Sequence, residues 1–409
     1  MSHQYRVIEN PFSWLNDHSI PLITINNEVD MMSGPYLLGL LNKNIAIGSI
    51  RLKAYGIISF YHFCESQDID FIKMMRELDP WTIRRVEALS AFLKAHKETG
   101  ELVSENTYRA KMLAVKEFLL YWWDTYQART VNNQEKLTHA RNKREVMEEA
   151  FNLEMKVTWS SPTKTRKGLE PELKARFMEI INPYSELNPF KYEHVKWRNF
   201  AAILTMILGG NRRGETALLR LQDIQLMGRD KYYEIVKNPR RAPPKTGHMI
   251  EPSVKTKGRK ISLSDDVATV FEHYIKKHRN KFKGARKSEF LFMSTHGGKP
   301  LALSSYNTVL YELIDAFPEF KGHLTPHRLR NTFHDDLLEE GTETIAKNNP
   351  DASPHMKESM LREAQIHAGG WSEKSNMPDK YPIGAIERMC AKLTKRIQDK
   401  GLAETSNGK

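Results

Sequence analysis

Apolar side chains recur at alternating steps of three and four along much of the chain, the spacing that lines one face of an α-helix. Ile50, Ala54, Ile57, Tyr61 and Cys64 form one such stripe. Tyr108, Met112, Val115, Leu119 and Trp122 form another, opening after Ser104, a residue suited to an N-cap. Trp81 to Ala95 reads as an amphipathic segment between them. From Lys136 to Lys156, Val146, Ala150 and Leu153, with Met147 and Phe151, continue the helical spacing. These stretches predict a small helical bundle. Ahead of it, residues 1–34 mix short apolar pieces with turn residues, Asn26-Asn27 and Ser33-Gly34-Pro35, and read as an N-terminal extension with one strand.

Past Leu169 the pattern changes. Residues 169–182 and 194–209 read as helices, the second apolar enough to be buried. Tyr232 to Val236 reads as a strand and Pro239 to Pro252 as a loop. Ser253 to Thr256 and Lys260 to Leu263 read as a β-hairpin about Lys257-Gly258-Arg259. Helices are predicted over 265–281, 304–316, 327–340, 356–368 and 384–400. The fold class is mostly α with a small antiparallel β-sheet. The boundaries fall at 1–34, an extension; 35–157, the helical bundle; 158–168, a basic linker (Ser160 to Gly168 is small, polar and cationic); 169–395, a mixed α/β domain; and 396–409, a polar tail.

Length and charge narrow the class. A chain of 409 residues exceeds one typical core. Sixty-two Lys and Arg stand against 50 Asp and Glu, a net charge of +12 that points to a polyanion, most simply nucleic acid. Arg51, Lys53, Arg84, Arg85, Lys94, Lys97, Arg109 and Lys111 fall off the apolar faces of the bundle, as a DNA-facing or a merely solvated surface would have them. The two cysteines, Cys64 and Cys390, have neither disulfide-scaffold nor metal-ligand spacing, which predicts a reduced, intracellular protein. The N-terminus has no apolar run of signal-peptide length, and the longest apolar run, Phe200 to Leu208, is too short to span a bilayer, so no membrane role is expected.

Candidate chemistry is strung along the second half. Gly209-Gly210-Asn211-Arg212-Arg213-Gly214-Glu215 ends one helix and starts another, with Arg212 and Glu215 one turn apart. A guanidinium held by a carboxylate can grip two phosphate oxygens; the plain alternative is an ion pair at a helix start. Lys255 and Lys257 sit in a basic hairpin, either within reach of a phosphate or simply on the surface. His327 and Arg330 lie one turn apart after Pro326, at a helix N-terminus that favours anions. His367-Ala368-Gly369-Gly370-Trp371 follows, and then Tyr381, a phenol usable as a nucleophile once positioned.

Each motif is weak alone. In this order (Arg-x-x-Glu after a Gly-ended apolar helix, a hairpin lysine, His-x-x-Arg, Gly-Gly-Trp, then Tyr) they resemble the tyrosine recombinase, or phage integrase, family over roughly residues 169–395. The bundle before them looks like that family's helical core-binding domain. The resemblance implies a catalytic set of Arg212, Lys255, His327, Arg330, Trp371 and Tyr381. Lys257 is the rival of Lys255, and His367 the rival of Trp371. It implies that Arg212 and Arg330 stabilise the charge on an attacked phosphodiester, with His327 and Trp371 adding hydrogen bonds. Tyr381 then forms a 3′-phosphotyrosyl bond and Lys255 protonates the departing 5′ oxygen. It further implies no cofactor and no metal, double-stranded DNA recombination sites as partner, a homo-tetramer on DNA, an accessory directionality factor, and a cytoplasmic, nucleoid-associated protein of a mobile element. A telomere resolvase, a type IB topoisomerase-like enzyme and a non-cutting DNA-binding regulator are the alternatives. The gap from Trp371 to Tyr381 is one residue longer than usual in that family. Pro378 and Pro382 flank Tyr381 and argue against its lying within a regular helix. The stretch from Glu340 to Glu363 is also long for the family.

Overall fold

Asn26 and Asn27 both take positive φ, at 52° and 72°. Two such residues make the two-residue turn whose twist matches paired strands. They join β2 (Ser19–Ile25) to β3 (Glu28–Val29), and β1 (Tyr5–Pro11) pairs antiparallel on the other side of β2. The computed structural model describes residues 3–11, 19–43, 45–95, 99–130, 134–156, 158, 167–237, 252–391 and 394–395. The chain divides into two units, Met1–Thr163 and Lys164–Lys409.

In the first unit, the sequence pattern predicts one strand before the bundle and the structure has three. The polar alternation of β1 becomes a strand signal only once β2 is there to pair with it. Ile23 of β2 lies in one core with Ile50, Ile57 and Phe118, so the sheet is built into the helical unit. Buried Asp30 accepts the Met32 and Ser33 N–H groups, each at 3.0 Å, and the Tyr61 hydroxyl at 2.6 Å; it thereby starts α1 (Ser33–Asn42). The helices α2 (Ile47–Ser66), α3 (Phe71–Glu77), α4 (Ile83–Lys94), α5 (Glu105–Gln127) and α6 (Gln134–Lys156) follow. The α2 stripe is buried throughout. On α5 the buried tryptophan is Trp123, while Trp122 is half-buried and donates to the Met32 carbonyl at 3.1 Å. On α6, Met147, Ala150 and Phe151 are buried, but Val146 and Leu153 are exposed. Only one helix face can meet the core, and the first three residues own it.

The second unit begins with α7 (Pro171–Ile181), the buried α8 (Glu193–Ile207) and the short α9 (Arg213–Ala217). A three-stranded antiparallel sheet comes next, with β5 (Tyr232–Ile235) between β4 (Ile224–Gln225) and β6 (Arg259–Ser262). Then come α10 (Asp265–His273), continued by a π turn to His278, α11 (Leu303–Ala316), α12 (Pro326–Asn348), α13 (Pro354–Gly369) and helical residues 383–391 and 394–395. Its core gathers Phe177, Leu204, Ile207, Tyr233, Phe271, Leu310 and Leu329.

The predicted hairpin is corrected in one arm. Residues 253–256 are not a strand; β6 pairs with β5, from Ile235 with Arg259 to Tyr232 with Ser262. Thr256 and Lys257 instead spend their polar groups on Glu215 and Gly370, so that arm is drawn out of the ladder. The long stretch after Glu340 is the end of α12, which runs on to Asn348, and the start of α13. The predicted tail lies outside the described residues, as do nearly all of the linker and of the Pro239–Pro252 loop. Among the described residues, no helix is long and apolar enough to cross a membrane.

Candidate active site

Gly210 holds φ at 64°, and a Cβ there would stand 2.3 Å from the Phe333 ring of α12. That close approach is why glycine ends the buried α8 segment. Asn211 follows, its N–H bound to the Thr205 carbonyl at 3.0 Å and its side chain accepting the Tyr233 hydroxyl at 3.0 Å. The turn is thus locked to α8 and to β5, and it delivers Arg212 to the N-cap of α9.

Glu215 is the centre of the site, 1% exposed. It accepts the Arg212 backbone N–H at 2.9 Å, the Arg212 guanidinium at 3.3 Å, the Arg259 guanidinium at 2.9 Å and the Thr256 hydroxyl at 2.7 Å. Arg330 stands 3.8 Å away. Burial works against its charge, but Arg259 and Arg330, the Arg259 hydrogen bond and the Arg212 N–H outweigh it and hold the carboxyl below its ordinary range. One carboxylate therefore spaces three guanidinium groups.

The three differ in access. The side chains of Arg259 and Arg330 are 1% and 0% exposed, and that of Arg212 is 27% exposed. Arg330 donates to the carbonyls of Gly210 and of Gly369, the latter at 3.0 Å, and Arg212 reaches the same Gly369 carbonyl at 3.4 Å. Burial, with the charge of Arg212, pushes Arg330 down to about 10, so it stays protonated at neutral pH.

α13 ends in a left-handed Gly370, φ 63°, whose missing Cβ would meet the Arg259 guanidinium at 2.7 Å. The Gly370 carbonyl accepts the Lys257 N–H at 2.8 Å. Trp371 then turns in beside Arg330, which lies 5.5 Å from its ring centroid. Tyr381 packs against the same group: its ring is 5.2 Å from the Arg330 guanidinium, 5.0 Å from Trp371 and 5.2 Å, edge-on, from His327. Tyr381 sits at a bend just before the helix that begins at 383.

Arg212, His327, Arg330, Trp371 and Tyr381 thus converge from well-separated stretches of the chain. Lys255 and Lys257 are both exposed and flank Thr256, which points to Glu215. His367 is exposed on the last turn of α13, whereas Trp371 is buried in the cluster.

Three neighbours escaped the sequence reading. Arg259 stood only as part of the hairpin turn, but it opens β6, which alternates and turns its first residue inward. Thr256 carried no signal. His334 is 1% exposed, stacked on Trp371 at 4.8 Å and edge-on to Tyr381 at 4.9 Å. Burial and the surrounding arginine charges hold it well below the ordinary histidine range, as a neutral ring. Its place on α12, one turn past Arg330, was the only available hint.

A mostly helical chain with two small antiparallel sheets matches the fold of one class, the tyrosine recombinases. Residues 174–347 match the phage integrase family, so the second unit carries a domain of that family. The fold is similar to that of the XerH site-specific recombinase bound to a palindromic difH substrate in a post-cleavage complex. There the TM-score is 0.52 and the identity 17%, over 86% of this chain and 81% of that one. The XerH pre-cleavage complex with difH gives a TM-score of 0.50 at 17% identity, over 87% and 82% of the two chains. No curated protein matches this sequence.

Proposed function

We propose that this chain is a site-specific DNA recombinase that cuts and rejoins DNA through a 3′-phosphotyrosyl bond on Tyr381, in the integration or excision of a mobile element. The observation that carries the reading is the packing of Tyr381 on Arg330, His327 and Trp371 around guanidinium groups spaced by Glu215. In the proposed step the Tyr381 oxygen attacks phosphorus and the bond to the 5′ oxygen breaks. The phenol proton is released to water as the new bond forms, and His327, edge-on to the phenol, adds a hydrogen bond to the attacked phosphate, as does Trp371. Lys255 gives a proton to the leaving 5′ oxygen. Arg212 and Arg330 meet the charge that builds on the non-bridging oxygens. Among the described residues the buried Nε of Arg330 and Nε1 of Trp371 have no hydrogen-bond partner, a cost of roughly 1–3 kcal/mol each that an anionic ligand would relieve. The new ester keeps the energy of the old one, and a second 5′-hydroxyl reverses the step. Four copies act on two sites, with helix 383–391 seated on a neighbour; its exposed Ile386 and Met389 suit that contact. Double-stranded DNA as substrate places the work at the nucleoid, and an accessory factor would set its direction.

The test is covalent capture. The full chain, incubated in EDTA with a pool of nicked duplexes of randomised sequence, is expected to form SDS-resistant adducts whose nucleotide maps to Tyr381. An adduct on another residue, or none, overturns the reading. Relaxed circles or hairpin ends as the only products would move it to a topoisomerase or a telomere resolvase.

A second measurement separates the lysines. With a 5′-bridging sulfur in the captured site, the leaving group needs no proton. Lys255→Ala is expected to lose at least ~100-fold in cleavage of the ordinary site, in the range of general acid catalysis, and to recover on the sulfur substrate. Recovery confined to Lys257→Ala would transfer the role.

A further inference from the structure

Asp335 lies one turn past Asn331 on α12, 0% exposed and, among the described residues, without an ion pair of its own. Its two oxygens face different parts of the second unit. Oδ1 accepts the Ala385 N–H at 3.0 Å, just after Tyr381, and Oδ2 accepts the Gly168 N–H at 3.2 Å, where the chain enters the unit from the linker. Both partners are built for close approach. A Cβ on Gly384 would stand 2.7 Å from Asp335 Oδ2, and one on Gly168 would stand 2.5 Å from the same atom and 2.6 Å from the Thr332 Cα. Thr332, one turn earlier, accepts the Leu169 N–H at 2.8 Å. Outside this pair of bonds the same two segments are laced together: Arg388 bridges Glu170 at 3.1 Å and Glu339 at 2.8 Å, and Lys167 pairs with Glu387.

We propose that Asp335 is a positioning residue for strand cleavage, fixing the Tyr381 segment and the start of the unit at residues 167–170 to one point on the Arg330 helix. A displacement of the chain at Gly168 then reaches Tyr381 through the Asp335 carboxylate as well as through the ion pairs at the surface, and the nucleophile's register against Arg330 depends on both buried bonds. This rests on the cleavage reading given above. Burial pushes the Asp335 carboxyl up to about 6, against the Ala385 N–H bond, the Arg388 charge and the Gly168 N–H, with Asp336 adding to the rise. A charge kept at such a site is more than a filler of space: an apolar residue there would leave two buried N–H groups unpaired.

The experiment uses the full chain and the nicked duplex captured by the wild-type protein. Asp335→Ala, Gly168→Ala and Gly384→Ala are each expected to slow single-turnover adduct formation at least tenfold and to leave duplex affinity within twofold. The decisive reading is non-additivity: on the Asp335→Ala background, Gly384→Ala, whose added Cβ meets Asp335 first, is expected to cost less than a further twofold. Asp335→Asn, which keeps one accepting oxygen, covers the case in which the alanine variant does not fold and is expected to fall between it and the wild type. Adduct formation within twofold of wild type in a folded Asp335 variant overturns the proposal and leaves the Tyr381 chemistry standing. So do fully additive losses, or losses of affinity equal to those of cleavage, since a merely structural residue would give them. No adduct from the wild-type chain takes down both.

Discussion

Tyr381→Phe is expected to remove covalent attachment to DNA altogether and to leave DNA affinity within about twofold. The substitution deletes one oxygen and keeps the ring. Phe preserves the contacts at 5.2 Å to the Arg330 guanidinium, 5.0 Å to Trp371, 4.9 Å to His334 and 5.2 Å to His327. With the residue only 6% exposed, the packing energy stays, and so does the position of the segment. The other ring packed on both Trp371 and Tyr381, His334, is neutral, buried and stacked on Trp371. Removal of a covalent nucleophile costs on the order of 10⁴-fold or more, so adducts fall below detection. Affinity survives because binding of a duplex rests on many phosphate contacts spread over a chain of net charge +12. The check is a denaturing gel of labelled nicked duplex beside a titration of intact duplex. A persisting adduct band at the wild-type mobility would remove Tyr381 from the role.

Glu215→Ala is expected to do a different kind of damage. It leaves Arg259 and Arg330, at 1% and 0% side-chain exposure, without their shared counter-charge. It also strips acceptors from the Thr256 hydroxyl and the Arg212 N–H. Breaking a buried pair from one side costs about 3–5 kcal/mol, and at roughly 2–4 °C per kcal/mol for a unit of this size the melting temperature falls by about 10 °C. Cleavage goes with it, since like-charged guanidinium groups no longer share a fixed spacing. Glu215→Gln keeps the shape and one accepting oxygen and is expected to lose less stability while cleavage stays low. Thermal melts of both variants, read beside their adduct rates, check this; a melting temperature unchanged in Glu215→Ala would mean the arginines are held by their carbonyl partners alone. Arg212 stands apart here as the most exposed of the three, whereas Arg330 is also a structural member through the Gly210 and Gly369 carbonyls.

Legibility differed by the kind of signal. The α2 stripe was readable because every member faces one core, and helical spacing reports that directly. On α6 the same rule drew in Val146 and Leu153, which the structure leaves exposed, because spacing says that residues share a face and not how wide the buried face is. The order Arg212, His327, Arg330, Trp371, Tyr381 could be read as candidate chemistry from residue types and short spacings. The choice between Trp371 and His367 could not, for it turns on where Gly370 sends the chain after α13. Arg259 was not singled out for a similar reason, since nothing in a basic turn shows that its arginine faces inward until β6 is paired with β5.

The chain's own pattern therefore determined the helices, the Asn26-Asn27 turn, the basic character and the short motifs, all of which depend on neighbours a few residues apart. Tertiary structure alone decided that Glu215 would hold three arginines, that His334 would be a neutral ring beneath Trp371, and that Asp335 would join Gly168 to Ala385. Each of these depends on the removal of a charge or a polar group from water by residues far away in sequence. The cost or gain of that removal is set by the partners that arrive with the fold.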